Sequence, residues 1–165
     1  MTYALSAAGT LAIIALAYFG MLKGWRHRQQ RQADLATLPA VPTALAEAPE
    51  GVEGVYIATT TAGDWMDRIA VHELGVRSVA DLAVTEAGLL FRRRGAADVF
   101  IPADQVTGVR TDRGIAGKVT AESSGLVVVT WLHDGRELDT GFRPRRKADT
   151  ATLTSSISTL IGADR

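Results

Sequence analysis

An uncharged run at residues 3–22, YALSAAGTLAIIALAYFGML, constrains this chain more than any other stretch. At about 1.5 Å per residue, a helix of that length rises about 30 Å, the hydrocarbon thickness of a bilayer. The run ends at Lys23, and Trp25, Arg26, His27, Arg28 and Arg31 follow closely. A secretory leader carries its positive charge before the apolar core and a small-residue cleavage site after it, which is the opposite order. The pattern therefore predicts a single transmembrane anchor, flanked by Lys23, Trp25, Arg26, Arg28 and Arg31. Basic residues collect on the cytoplasmic side of a span, so the expected orientation places the amino terminus outside and the body in the cytoplasm, at the cell membrane. Trp25 and Tyr3 suit the inner and outer interfacial belts.

Behind the anchor, assigned to residues 1–25, residues 26–51 read as a basic juxtamembrane segment and a Pro/Ala-rich linker. Pro39, Pro42 and Pro49 each interrupt a helix there. Residues 52–163 remain for one domain, enough for a single hydrophobic core. After Gly51 the sequence holds 14 Lys/Arg against 15 Asp/Glu, so the broad basic excess of a nucleic-acid-binding domain is missing and no nucleic-acid partner is expected. The absence of cysteine excludes disulfides and thiolate metal sites, and agrees with a cytoplasmic body.

The domain reads as short strands punctuated by turns. Residues 52–61 (VEGVYIATTT) are β-branched and aromatic, with a turn at 62–64. Residues 65–74 fit neither the helical nor the alternating period and stay ambiguous. Strands are expected at 76–85, 89–94, 97–101, 106–111, 125–133 and 136–142, with Pro102 opening a turn and residues 114–117 forming a loop. Asp134-Gly135 is a two-residue hairpin signal. After Pro144 the period changes, and Leu153, Ile157, Leu160 and Ile161 fall on one helical face behind a cap at Asp149 or Thr150. The fold class is therefore mainly β: a small open antiparallel barrel of about seven strands, closed by a carboxyl-terminal helix.

The strings GDWMDR at 63–68, FIP at 100–102, DRGIAGKV at 112–119, GLVVVTW at 125–131 and DTGFRP at 139–144 together resemble a family of actinobacterial membrane proteins. Its members join an N-terminal transmembrane helix to a pleckstrin-homology-like (PH-like) domain. The resemblance covers essentially the whole chain and implies a PH-like barrel of seven strands with a capping helix. Its members are described only as PH-like or as transporters, so it implies little about activity.

Candidate chemistry is sparse. DRGIAGKV invites comparison with a phosphate loop, but that pattern needs Gly where Asp112 stands and Ser or Thr where Val119 stands. The same loop offers Arg113 and Lys118 as anion or partner contacts. Two further basic clusters are Arg92-Arg93-Arg94 and Arg143, Arg145, Arg146, Lys147. In a strand Arg92 and Arg94 share a face, whereas Arg93 points away or ends the strand. On a tethered domain such cations are attracted to anionic headgroups by about 1 kcal/mol each near the surface. His27, His72 and His133 lack the spacing of a zinc helix, and Trp65, Trp131 and Phe142 read as core or barrel-wall aromatics. The expectation is a non-enzymatic module without cofactor or metal that recruits a protein partner at the inner membrane face. The alternatives are an anionic-lipid sensor and an accessory subunit of a membrane transport complex.

Overall fold

β-Branched runs, each too short to bury itself, pair side by side into a sheet that encloses a hydrophobic core. The computed structural model describes residues 2–32, 34–46, 51–112, 114–115, 118–119 and 125–163. The chain divides into two compact units, Met1–Asp34 and Leu35–Arg165.

The first unit holds helix α1, Thr2–Arg31. Leu11, Ile13, Ile14, Leu16, Tyr18, Phe19 and Met21 are all exposed on it. At 100° per residue these positions point in every direction around the axis, which is the pattern of a helix apolar on all sides. Among the described residues, no helix is long and apolar enough to cross a membrane. The side chains described without interruption in α1 run from 9 to 24, a rise of about 24 Å against the roughly 30 Å of a bilayer core. The expected span also draws on side chains 3–8, which lie outside the described residues, as do those of Trp25, Arg28 and Arg31. Lys23 and Arg26 are exposed.

The second unit opens with residues 35–46, including a short helical turn, α2, at Thr43–Ala46. Its strands are β1 (Val52–Thr61), β2 (Asp64–Arg68), β3 (Ser78–Thr85), β4 (Gly88–Arg93), β5 (Val99–Pro102), β6 (Val106–Asp112), β7 (Gly114–Ile115), β8 (Lys118–Val119), β9 (Leu126–His133) and β10 (Arg136–Pro144), followed by helix α3 (Ala148–Ala163). The main sheet runs β5-β4-β3-β1-β10-β9-β6, with β2 added beside β1 and β7-β8 forming a separate hairpin. Every pairing is antiparallel. Strand β1 organises the sheet: residues 52–56 pair with β3 while residues 54–61 pair with β10, across a register shift between Tyr56 and Ala58. A bulge of this kind bends the strand and lets one sheet curl over itself.

Seven principal strands and a terminal helix therefore match the expected architecture. The ambiguous stretch 65–74 divides into β2 and a turn, where His72 and Glu73 take positive φ values of 53° and 56°. The Asp134-Gly135 hairpin has positive φ at both residues, 51° and 73°, which is the geometry an Asp-Gly turn supplies at low strain.

The core joins Tyr56, Leu82, Phe91, Ile101, Val129, Trp131, Leu138 and Phe142, and α3 adds Leu153 and Ile157 to it. Trp131 and Phe142 are fully buried as expected, but Trp65 is 49% exposed. The reason lies in β2, which pairs with β1 at Thr60↔Arg68 and Thr61↔Asp64, across a register shift, and leaves Trp65 and Met66 on an outer surface of the described residues. Residues read as linker also pack on the domain. Leu35 is buried in the main core with Leu38 against it, while Leu45 and Val41 cover Ala83, Leu90 and Phe100 on the opposite face of the sheet. The domain body thus begins seventeen residues before β1, at Leu35.

Two histidines hold that entry point. His72 Nε2 lies 3.0 Å from the Leu35 carbonyl oxygen and His133 Nε2 lies 3.0 Å from that of Ala36. The Ala36 N–H donates to Asp134 at 3.3 Å. His133-Asp134 is thus a turn that also grips the chain where it enters the domain.

Candidate functional site

Alternation along β3, β1 and β10 sorts residues between the core and the outer face of the sheet. Val79 opposes Val55, and Val55 opposes Arg143. Arg94 continues the line, its N–H donating to the Val79 carbonyl at 2.9 Å. One cross-strand row on the outer face therefore reads Arg94, Val79, Val55, Arg143. The next row reads Arg92, Asp81, Glu53, Arg145, since Arg92 opposes Asp81, Asp81 opposes Glu53, and the Arg145 N–H donates to the Glu53 carbonyl at 2.8 Å.

The two rows differ in charge balance. In the second, two arginines meet two carboxylates, and Arg145 Nη1 donates to Glu53 Oε2 at 3.1 Å. The first contains two arginines, two valines and no acid, and Arg77 stands beside it. These side chains, together with Glu53, Asp81 and Arg145 of the second row, line a groove of about 350 Å³ whose apolar floor is Val55, Val79 and Pro144. Val79 is 53% exposed at its centre. Among the described residues, neither Arg77 nor Arg94 has an ion-pair partner.

The sequence-predicted cations are distributed unevenly. Arg94, Arg143 and Arg145 come together in the groove, joined by Arg77, which the sequence reading missed because an isolated arginine at the start of an expected strand carries no pattern. Arg92 is half-buried and donates to the Leu45 carbonyl at 3.3 Å, holding the entry segment to the sheet. Arg146 lies in a second depression, of about 550 Å³ beside α3. There it donates to Asp149 at 3.0 Å, and with the Arg145–Glu53 pair it leaves that depression charge-balanced. Lys147 is exposed near the start of α3. Arg113 and the side chain of Lys118 lie outside the described residues.

Arg93 is the last residue of β4 and turns inward. It is 6% exposed, and its guanidinium sits 4.3 Å from the centre of the Tyr56 ring. Nη2 donates to the carbonyls of Glu73 and Val76 at 2.9 and 2.8 Å, and Nε to Ser78 Oγ at 3.0 Å. Burial draws its pKa below the usual guanidinium value, opposed by the nearby Tyr56, Glu73 and Asp98. Burial likewise pushes the Tyr56 hydroxyl up to about 12. Arg93 is thus a structural cation, unavailable to a ligand.

A further ion pair, Arg110–Asp139, serves the sheet. Asp139 is buried on β10 and accepts from Arg110 through Nη1 at 3.1 Å and Nη2 at 2.8 Å, from Thr130 at 2.7 Å, and from the Gly63 N–H at 3.3 Å. Burial alone would raise this carboxyl, but hydrogen bonds from Arg110 and Thr130 outweigh it and hold the pKa below the usual range. A depressed carboxyl contributes stability above its unfolded value, 3.8, and loses it as pH falls through the folded value. An Asp139→Asn variant is therefore expected to be less stable at neutral pH and to show a flatter acid limb below about pH 4 in urea titrations. Parallel limbs for variant and parent would refute this role.

Among the described residues, no cluster of three or more His, Asp or Glu is arranged to hold a metal ion. The groove combines arginines and two carboxylates around an apolar floor on the sheet. No curated protein matches the chain. The sequence model of the family described as bacterial PH domain-like matches residues 35–158, beginning at the same Leu35 where the compact body begins. With the strand order, the α3 cap and this match over three quarters of its length in agreement, the chain belongs to the bacterial PH domain-like family.

Proposed function

We propose that the protein is a membrane-tethered interaction module in which α1 anchors the chain and the PH-like domain holds a protein partner at the inner membrane face. A PH-like domain is a protein or lipid interaction module, and the observation that carries the tether is the all-round apolar exposure of α1. Such a helix loses its apolar hydration cost only inside lipid or a protein core. Tethering confines the domain to a thin layer beside the membrane, raising its effective concentration toward partners there without strong intrinsic affinity. The Lys23 and Arg26 flank supports an outside amino terminus. Binding without turnover is the proposed activity.

The cysteine-free sequence makes topology directly measurable. Thr2→Cys and Asp104→Cys variants are each exposed to a membrane-impermeant maleimide in whole cells. Labelling of the first in intact cells, and of the second only after lysis, is the expected result. The reverse pattern would overturn the orientation. Release of the protein from membranes by alkaline carbonate would overturn the anchor.

A further inference from the structure

We infer that residues 37–46 are a displaceable strap over a docking platform on the outer face of β3, β4 and β5, and that the partner segment which replaces the strap is a short apolar turn of the same chemistry, with aliphatic side chains at i and i+4. The inference rests on the reading of the domain as an interaction module and assigns a binding surface together with its regulation.

The platform is one cross-strand row. Ala83 opposes Leu90, and Leu90 opposes Phe100. The row of Leu82, Phe91 and Val99 on one side and the row of Val84, Leu89 and Ile101 on the other both face the main core, so alternation turns Ala83, Leu90 and Phe100 outward. The next outward row pairs Asp81 with Arg92, as suits the solvated face of an antiparallel sheet. Three apolar side chains in one outward row depart from that pattern, yet each is at most 5% exposed. Among the described residues, Val41 and Leu45, four positions apart on the strap, pack against them.

This cover is weakly fixed. Among the described residues, 37–46 make no backbone hydrogen bond to the sheet; the Leu45 N–H donates back to the Pro42 carbonyl at 2.8 Å, and Pro39 and Pro42 have no N–H to offer. The polar link described between strap and sheet runs from Arg92 Nη2 to the Leu45 carbonyl at 3.3 Å. Helix α2 is a single turn, too short to hold itself. Leu35 and Ala36, just before the strap, are by contrast pinned by His72, His133 and Asp134, with Leu35 in the main core. A segment without ladder bonds opens at lower free energy than the sheet beneath it, so the strap lifts between fixed points at Ala36 and β1 while the barrel stays folded. The uncovered row suits an aliphatic pair, and Arg92 stands beside it to donate to a backbone carbonyl. A partner segment of that chemistry competes with the strap, whose occupancy then sets the apparent affinity.

The test uses the full chain in phosphatidylcholine nanodiscs, where the absence of native cysteine lets single thiols report opening. Ala83→Cys places a thiol on the platform and Ala80→Cys places one in the main core. The first is expected to react with a maleimide at least about a hundredfold faster than the second, at a rate that low urea barely changes, whereas the second should follow global unfolding. Leu90→Cys repeats the platform measurement with a smaller side chain in place of a larger one. Adding Val41→Ser/Leu45→Ser should speed platform labelling about tenfold or more, with circular dichroism unchanged. In that background an end-capped peptide of residues 37–46 should slow the labelling saturably, and the same peptide with serine for its valine and second leucine should not. Equal rates for platform and core thiols would make the strap a permanent part of the fold and overturn the inference. Failure of the peptide to protect at about 1 mM, or equal protection by the serine peptide, would remove the docking role. Protection that rises with protein concentration in the absence of peptide would also overturn it, since a second copy would then be the occupant. The labelling reads the platform whether or not α1 spans a bilayer, so its failure is distinct from a failed tether.

Discussion

Replacing Arg93 by alanine is expected to destabilise the domain by about 3–5 kcal/mol, because the change leaves buried groups without their partner. The guanidinium satisfies the carbonyls of Glu73 and Val76 and the hydroxyl of Ser78, and it lies over the Tyr56 ring. Those carbonyls belong to the turn where His72 and Glu73 adopt positive φ, a conformation that costs about 1 kcal/mol or more per residue and persists only when its surroundings impose it. Arg93→Met keeps much of the volume and removes the buried charge, yet still orphans the carbonyls, so it should fall between the parent and Arg93→Ala. Urea unfolding measures the ranking, and hydrogen exchange should show the loss of protection concentrated at residues 69–78. Uniform loss of protection across the sheet, or a variant as stable as the parent, would refute the role given to this arginine.

The other large effect is expected at Trp131, whose truncation to alanine should cost about 3–5 kcal/mol from lost burial and the cavity left behind. Trp131 is fully buried, and its indole also begins a directed chain of hydrogen bonds. Nε1–H donates to Thr140 Oγ1 at 2.9 Å; Thr140 and Thr59 hydroxyls are 2.7 Å apart; Thr59 and the Tyr56 hydroxyl are 2.6 Å apart; and Tyr56 donates to the Leu74 carbonyl at 3.1 Å. Each hydroxyl can accept one bond and donate one, so the chain runs from an N–H to a carbonyl with every proton placed. Thr140→Val interrupts it at nearly constant volume and should cost about 1–3 kcal/mol by orphaning the indole N–H. A double-mutant cycle between Trp131→Phe and Thr140→Val should give a coupling of about 0.5 kcal/mol or more. Strict additivity would mean the chain contributes nothing beyond its parts.

These two sites mark what local pattern reveals. Residues 126–133 are strand-like wherever they are read, and Trp131 is an apolar side chain in a β-branched run, so its burial follows from alternation. Arg93 sits in a triplet of identical residues whose members part by alternation alone: Arg92 and Arg94 outward, Arg93 inward. That Arg93 parts from Arg92 and Arg94 or ends the strand was legible; that Tyr56, Ser78 and two carbonyls wait for it was not, because those partners lie 15 to 37 positions away and depend on how the sheet curls. Trp65 failed as a core residue for a related reason. Its neighbours in sequence resemble a strand, but β2 pairs with β1 across a register shift and leaves Trp65 on an outer surface, and burial needs a covering layer that no local signal encodes.

The candidate groove shows the same division more sharply. Composition identified basic clusters, and alternation placed Arg94 on an exposed face, but Arg77, Arg94 and Arg143 become neighbours only through the pairing of β3 with β1 and of β1 with β10. Charge neutralisation also depends on register: Arg145 meets Glu53 across strands and Arg146 meets Asp149 in the next turn, which removes two cations that look equivalent in the sequence.

By itself, then, the sequence determined the principal strands outside residues 65–74 and 114–119, the Asp134-Gly135 hairpin and the inward face of α3, because each is set by interactions within a few residues. Tertiary structure alone decided that the body begins at Leu35, held by His72 and His133, and that Arg145 meets Glu53 across two strands. Those outcomes are set by contacts between distant residues, whose free energy appears only once the chain has closed the loops between them.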